Sequence, residues 1–286
     1  MEELPEQLST AQLEAQRILR DLIQKIKEPD SKYYARYGKW ISRHPKLDEF
    51  CFRCVRPNVW RFLDGKWNVD ALKSIGGDLK SEGRGIYFDG VLGLDKHTRF
   101  YVGQSTNLRF RISQHWNFRY RRDNPSLHYH AVQQSIYNVF GILAAIPNPH
   151  MGNHALPGMD CPDLLLNLLE MWMCLVFRCL PQQTLVKWLP EEVRAAGEFG
   201  ALNIASPLDF GAKEREWADL SEWEDPLVQG YLGGERKRSS VVYRKNKQTG
   251  GNQNVIQVTA PTLLLVGAAV FAGFMLLRSG SGLGWR

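Results

Sequence analysis

The chain predicts a mixed α/β (α+β) fold, a small antiparallel strand pair flanked by helices, on three observations. Two glycine-flanked runs, Gly85-Ile86-Tyr87-Phe88-Asp89 and Arg99-Phe100-Tyr101-Val102-Gly103, alternate apolar side chains and tyrosines with the period of a strand. Residues 8–27 and 108–116 repeat apolar positions at helical spacing. The run from Cys161 to Leu180 is so apolar that it reads as a largely buried helix. With 286 residues, 44% of them hydrophobic and 23% charged, the chain is long enough for one or two packed domains, which excludes wholesale disorder.

Taken in order, residues 1–80 read as a helical N-terminal extension. Its first helix places Leu13, Ile18, Leu19, Leu22, Ile23 and Ile26 on one stripe, with Ser9 or Thr10 as N-cap. From Tyr33 to Ile75 the chain is aromatic and basic, with Trp40, Trp60 and Trp67, and shows no clear period. Residues 81–210 form the central domain, 211–230 an acidic arm, and 231–254 a flexible basic linker containing Arg236, Lys237, Arg238, Arg244, Lys245 and Lys247. Residues 255–278 carry no charge before Arg278, and about 20 apolar residues suffice to span a bilayer. A C-terminal transmembrane helix is therefore expected. The lysines and arginines upstream of it put the folded body on the cytosolic or nucleoplasmic side by the positive-inside rule.

The net charge of +6 favours an anionic partner, either nucleic acid or acidic lipid. The basic linker suits a lipid surface or a nuclear import factor equally well. Five scattered cysteines and an acidic start without a signal peptide's apolar run point to a reducing compartment. Cys51 and Cys54 have half of a zinc spacing, but Cys174 and Cys179 lie within the apolar helical run, so buried thiols are expected instead.

Alternation puts Ile86, Phe88, Phe100 and Val102 on one sheet face and leaves Tyr87 and Tyr101 together on the other, across a loop from Gly90 to His97. Ser105, Thr106 or Asn107 then caps a helix whose buried stripe is Leu108, Ile112 and Trp116. At about 100° per residue, Arg111 and His115 border that stripe and face the sheet, while Arg109 points elsewhere, as an outer phosphate contact or a surface residue. Two adjacent cationic groups suit a phosphate between them. Arg119, Arg121 and Arg122, interleaved with Trp116, Phe118 and Tyr120, are candidates for nucleic-acid contact or form a solvated face with the aromatics turned inward.

Gly85-Ile86-Tyr87, then Tyr101-Val102-Gly103, an arginine ten residues after the second tyrosine and a histidine four later resemble the GIY-YIG nuclease domain over roughly residues 83–209. The resemblance implies a central antiparallel sheet of about three strands, a metal-dependent phosphodiester hydrolase acting on DNA, and one Mg²⁺ or Mn²⁺ ion. It further implies a metal-binding glutamate, best matched by Glu170, and a downstream asparagine, best matched by Asn203. In this scheme Tyr87 serves as general base or relay, Tyr101 orients the water, Arg111 stabilises phosphate charge and His115 assists. Arg111 and its metal would have to lower the tyrosine pKa from about 10. The long interval before Glu170 departs from the pattern, and an ion pair of Glu170 with Arg178 or Arg111 is the competing role. A catalytically inactive binding module anchored at a membrane is the alternative reading of the whole chain.

Overall fold

Ser9 begins the first helix, α1 (Thr10–Lys27), in the computed structural model, which describes residues 7–148, 156–193 and 197–234. The Ser9 hydroxyl accepts from the Gln12 amide at 3.2 Å, and the Gln12 side chain accepts from the Ser9 amide at 2.9 Å, closing a capping box. Ile18, Leu19, Leu22 and Ile26 are buried as expected, but Leu13 is 54% exposed, on the edge of the stripe rather than within it. Residues 34–75 fold into a π-helical turn and four short helices, α2 (Lys39–Ser42), α3 (Leu47–Cys54), α4 (Pro57–Leu63) and α5 (Val69–Ile75). Elements of four to eight residues complete about two turns at most, too few to leave a legible period.

The sheet has order β3-β1-β2-β4, with β1 (Arg84–Gly93) central and antiparallel to β2 (Thr98–Ser105) and β3 (Ser135–Ile146). The fourth strand, β4 (Gly200–Ala201), runs parallel to β2 for two residues, so the sheet has one short strand more than expected. The predicted loop from Gly90 to His97 shrinks to Leu94–His97, because Gly90 to Leu92 still pair with β2 on one side and β3 on the other.

One sheet face carries Ile86, Phe88, Phe100 and Val102 into a core shared with α9 (Pro162–Val176) and the N-terminal helices. Phe88 stacks on Phe100 at 5.0 Å, and Phe100 on Phe177 at 4.5 Å. Trp172 of α9 donates its indole N–H to the Ala15 carbonyl of α1 at 2.8 Å. Cys51, Cys54, Cys174 and Cys179 lie buried in or beside this core as free thiols. The opposite sheet face is covered by α6 (Leu108–Trp116) and α8 (Leu127–Gln133), with α7 (Phe118–Asp123) between them in the chain and without a buried residue. A further helix, α10 (Gln182–Trp188), follows α9.

The acidic arm is fastened to the hairpin. Buried Arg99 donates to both oxygens of Asp225 (2.7 and 2.8 Å) and of Asp95 (2.7 and 3.1 Å). The segment expected transmembrane, 255–278, lies outside the described residues, as does the linker from 235 on. Among the described residues no helix is long and apolar enough to cross a membrane.

Candidate functional site

Tyr87 reaches its place because Gly103 stands opposite it in the β1–β2 register. A Cβ on Gly103 would collide with the Tyr87 ring and hydroxyl, so the last residue of the Tyr101-Val102-Gly103 run provides the space that the first tyrosine fills. Asn107 caps α6 by accepting from the Phe110 amide at 2.9 Å, and the helix then turns Leu108 and Ile112 inward. Trp116 does not complete the stripe. It is 56% exposed and meets the Phe140 ring by an edge.

Arg111 and His115 converge on Tyr87. Arg111 Nε donates to the Tyr87 hydroxyl at 3.2 Å, and that hydroxyl lies 2.7 Å from His115 Nε2. An arginine can only donate, so Tyr87 is left to give its own proton to Nε2, which places the imidazole proton on Nδ1. The expected anion between Arg111 and His115 is replaced by this hydroxyl. His115 is also not cationic: burial, helped by the charges of Arg111 and Arg121, holds its pKa far below the usual value. Its Nδ1 is buried without a protein hydrogen-bond partner, as are Tyr129 Oη and Arg121 Nε.

Arg111 spreads its remaining donors over Gln114 Oε1 (3.0 Å) and the Tyr120 hydroxyl (3.1 Å). The Tyr101 ring lies 6.3 Å from that of Tyr87, diagonally across the strand pair, and Tyr101 is half-buried where Tyr87 is wholly buried. Arg111 alone does not bring about the lowering of the tyrosine pKa values that was expected of it together with a metal. Burial raises both, and the Arg111 charge only partly offsets it, so both hydroxyls keep their protons at neutral pH.

Glu170 is 7% exposed on α9, and burial pushes its carboxyl up to about 7, with the Gln104 amide and the charges of Arg215 and Arg111 pulling it back. Its negative charge in turn raises both tyrosines. Neither expected ion pair forms: Arg178 binds Glu14, and Arg111 is taken by Tyr87, Gln114 and Tyr120. Asn203 acts as a side-chain strand. Its Oδ1 accepts from the Val102 amide at 2.9 Å and its Nδ2 donates to the Val102 carbonyl at 2.7 Å, fixing the backbone beside Tyr101.

The arginine cluster divides. Arg121, half-buried, donates to the His115 carbonyl. Arg119 is exposed, Arg122 pairs with Asp123 at 2.8 Å, and Arg109 pairs with Glu82 at 2.9 Å on the outer side of α6. Trp116 and Phe118 face solvent, contrary to the inward alternative, and only Tyr120 turns toward the site.

The sequence reading missed a second polar group on the tyrosine face. Asp89, wholly buried and opposite Tyr101 in register, lies 2.8 Å from His128 Nε2 and accepts from Asn138 at 3.1 and 3.3 Å. The alternation that placed Tyr87 also placed Asp89 on that face, and this was the available signal.

No group of three or more His, Cys, Asp or Glu side chains that could hold a metal occurs among the described residues. The buried carboxyl of Glu170 nevertheless fits one hard divalent ion, since Mg²⁺ keeps most of its waters and takes one or two carboxylates. Compared with known proteins, the chain matches no family model, no curated protein and no solved structure, so its functional reading rests on the residues described above.

Proposed function

We propose that the chain is a metal-dependent endonuclease of the GIY-YIG type, hydrolysing phosphodiester bonds of nucleic acid, DNA in the first instance, and tethered to an intracellular membrane by residues 255–278. The observation that carries this reading is the hydrogen-bonded trio of Arg111, Tyr87 and His115, with Tyr101 beside it and the buried Glu170 carboxyl within electrostatic reach. The β3-β1-β2 antiparallel arrangement with α6 on one side and α9 on the other supports it as well.

In this scheme the fully buried Tyr87 works as a relay. A proton arriving on its hydroxyl is matched by the departure of its own proton to His115 Nε2, and because His115 is held neutral at rest the imidazolium is transient and returns that proton through the same hydroxyl to the leaving oxygen, so no free tyrosinate need form. Half-buried Tyr101 is the tyrosine that can meet and orient the attacking water. Arg111, held by Tyr87, Gln114 and Tyr120, faces charge that grows on the phosphate. Glu170 would hold Mg²⁺ or Mn²⁺, which when bound supplies positive charge for the phosphoryl and leaving oxygens. Asn203 keeps the Val102 backbone in register, and exposed Trp116, Phe118 and Arg119 offer stacking and charge to substrate beside the site.

The test is cleavage by the purified chain of single-stranded, duplex and branched DNA and RNA, with Mg²⁺ or Mn²⁺ and with EDTA. Arg111→Ala and Glu170→Ala are each expected to lower kcat by roughly a hundredfold or more. Equal cleavage by wild type and both variants would remove the reading. Salt-sensitive binding without cleavage would select the inactive, membrane-anchored binding module instead.

A further inference from the structure

Beside the trio lies a polar group to which the scheme above gives no task. Asp89 is 0% exposed in the centre of the sheet, where an aliphatic side chain would pack without a desolvation cost. His128 is 4% exposed on α8, and Asn138 reaches in from β3. Three elements therefore supply one polar residue each to a single buried point. The His128 ring lies flat on the Tyr101 ring, centroids 4.0 Å apart and planes 3° from parallel.

The geometry forms a chain of constraints. Asn138 fixes the Asp89 carboxyl through both oxygens, and Asp89 fixes His128 Nε2 at 2.8 Å. That bond sets the rotation of the imidazole about its last torsion, which a phenylalanine in the same place could not have fixed. The imidazole plane then sets the plane of Tyr101, and with it the plane in which the phenolic O–H bond lies.

We propose that Asp89 and His128 are positioning residues that aim the Tyr101 hydroxyl, an inference that rests on the nucleolytic reading of the site. Neither touches substrate, since Asp89 is wholly buried and His128 nearly so. Burial pushes the Asp89 carboxyl up to about 8, against the pull of Asn138 and Arg121, and holds His128 down to about 3. The pair thus shares one proton near neutrality, with the carboxyl O–H donating to the imidazole and the other oxygen accepting from Asn138. An asparagine at 89 reproduces that pattern, with its amide N–H donating to Nε2 and its carbonyl accepting from Asn138.

The experiment uses the full chain labelled with 3-fluorotyrosine, the Tyr101 ¹⁹F signal being identified by its loss in Tyr101→Phe. His128→Ala and Asp89→Ala are expected to shift and broaden that signal, and Asp89→Asn to return it toward the wild-type position. In turnover, His128→Ala and Asp89→Ala should lower kcat by about tenfold to a hundredfold with KM within about twofold, and Asp89→Asn should recover most of the loss. A wild-type Tyr101 signal in cooperatively folded His128→Ala, or a loss in Asp89→Asn as large as in Asp89→Ala, overturns the proposal. If the wild-type chain cleaves no nucleic acid, the nucleolytic reading fails separately, and the ¹⁹F comparison still decides whether the pair positions Tyr101. Should Asp89→Ala not fold, His128→Ala and Asp89→Asn carry that comparison.

Discussion

Arg111 and Arg109 are two residues apart, yet only one belongs to the site, and helical geometry alone separated them. The choice was legible because it depends on a local angle. Asp89 was not, because alternation names the face a residue takes but not its partners, and His128 and Asn138 arrive from 39 and 49 positions away. The Asp89–His128 pair also has a measurable signature. Unfolded, the pair carries one proton between about pH 3.8 and 6.5, on histidine, and none above. Folded, it keeps one proton up to about pH 8, on aspartate. Stability is therefore level across the first window and falls as pH rises from about 6.5 to 8, by on the order of 2 kcal/mol. Urea unfolding at pH 6 and pH 8.5 should show this loss in wild type and a smaller one in Asp89→Asn. Equal losses in the two would contradict the shared proton. Gly103→Ala offers a second check: a cooperatively folded protein with cleavage reduced by about tenfold or more is expected, because the added methyl displaces the Tyr87 hydroxyl.

Helix α1 shows what a sequence makes easy. A capping box and an 18-residue amphipathic stripe are local signals, and only Leu13 was misassigned. Removing the cap in Ser9→Ala should cost about 1 kcal/mol, read as a lowered urea midpoint with unchanged slope. Elements α2 to α5 were hidden by their shortness. Strand β3 was visible only through the family resemblance, since it is buried on both faces over Phe140–Ala144 and exposed at Ile136 and Tyr137. The Asn203 pairing is of another kind, a side chain completing a backbone ladder 101 residues away. Asn203→Ala leaves the buried Val102 amide and carbonyl unpaired and should destabilise by about 2–4 kcal/mol, with cleavage falling more than stability alone explains. Cleavage that tracks the folded fraction at each temperature would reduce Asn203 to a fold residue.

On the scale of the molecule, residues from the N-terminal extension and from the central domain enter one apolar core around α9. A chain lacking residues 1–80 leaves Trp172 and its neighbours without cover, and should fail to unfold cooperatively or stay soluble. A soluble, cooperatively melting product would instead make residues 81–210 an independent unit. For the membrane reading, flotation with acidic-lipid vesicles should be lost when the chain ends at residue 254, and retention would assign binding to the basic linker or the body. The single indole bond from Trp172 to Ala15 also has a consequence for synthesis. The helix that carries Glu170 is seated on a helix 157 positions earlier in the chain, while Asn203 lies beyond both. A nascent chain therefore holds an unfinished site until Asn203 has been made and paired with Val102, so the tyrosine cluster is completed late and all at once.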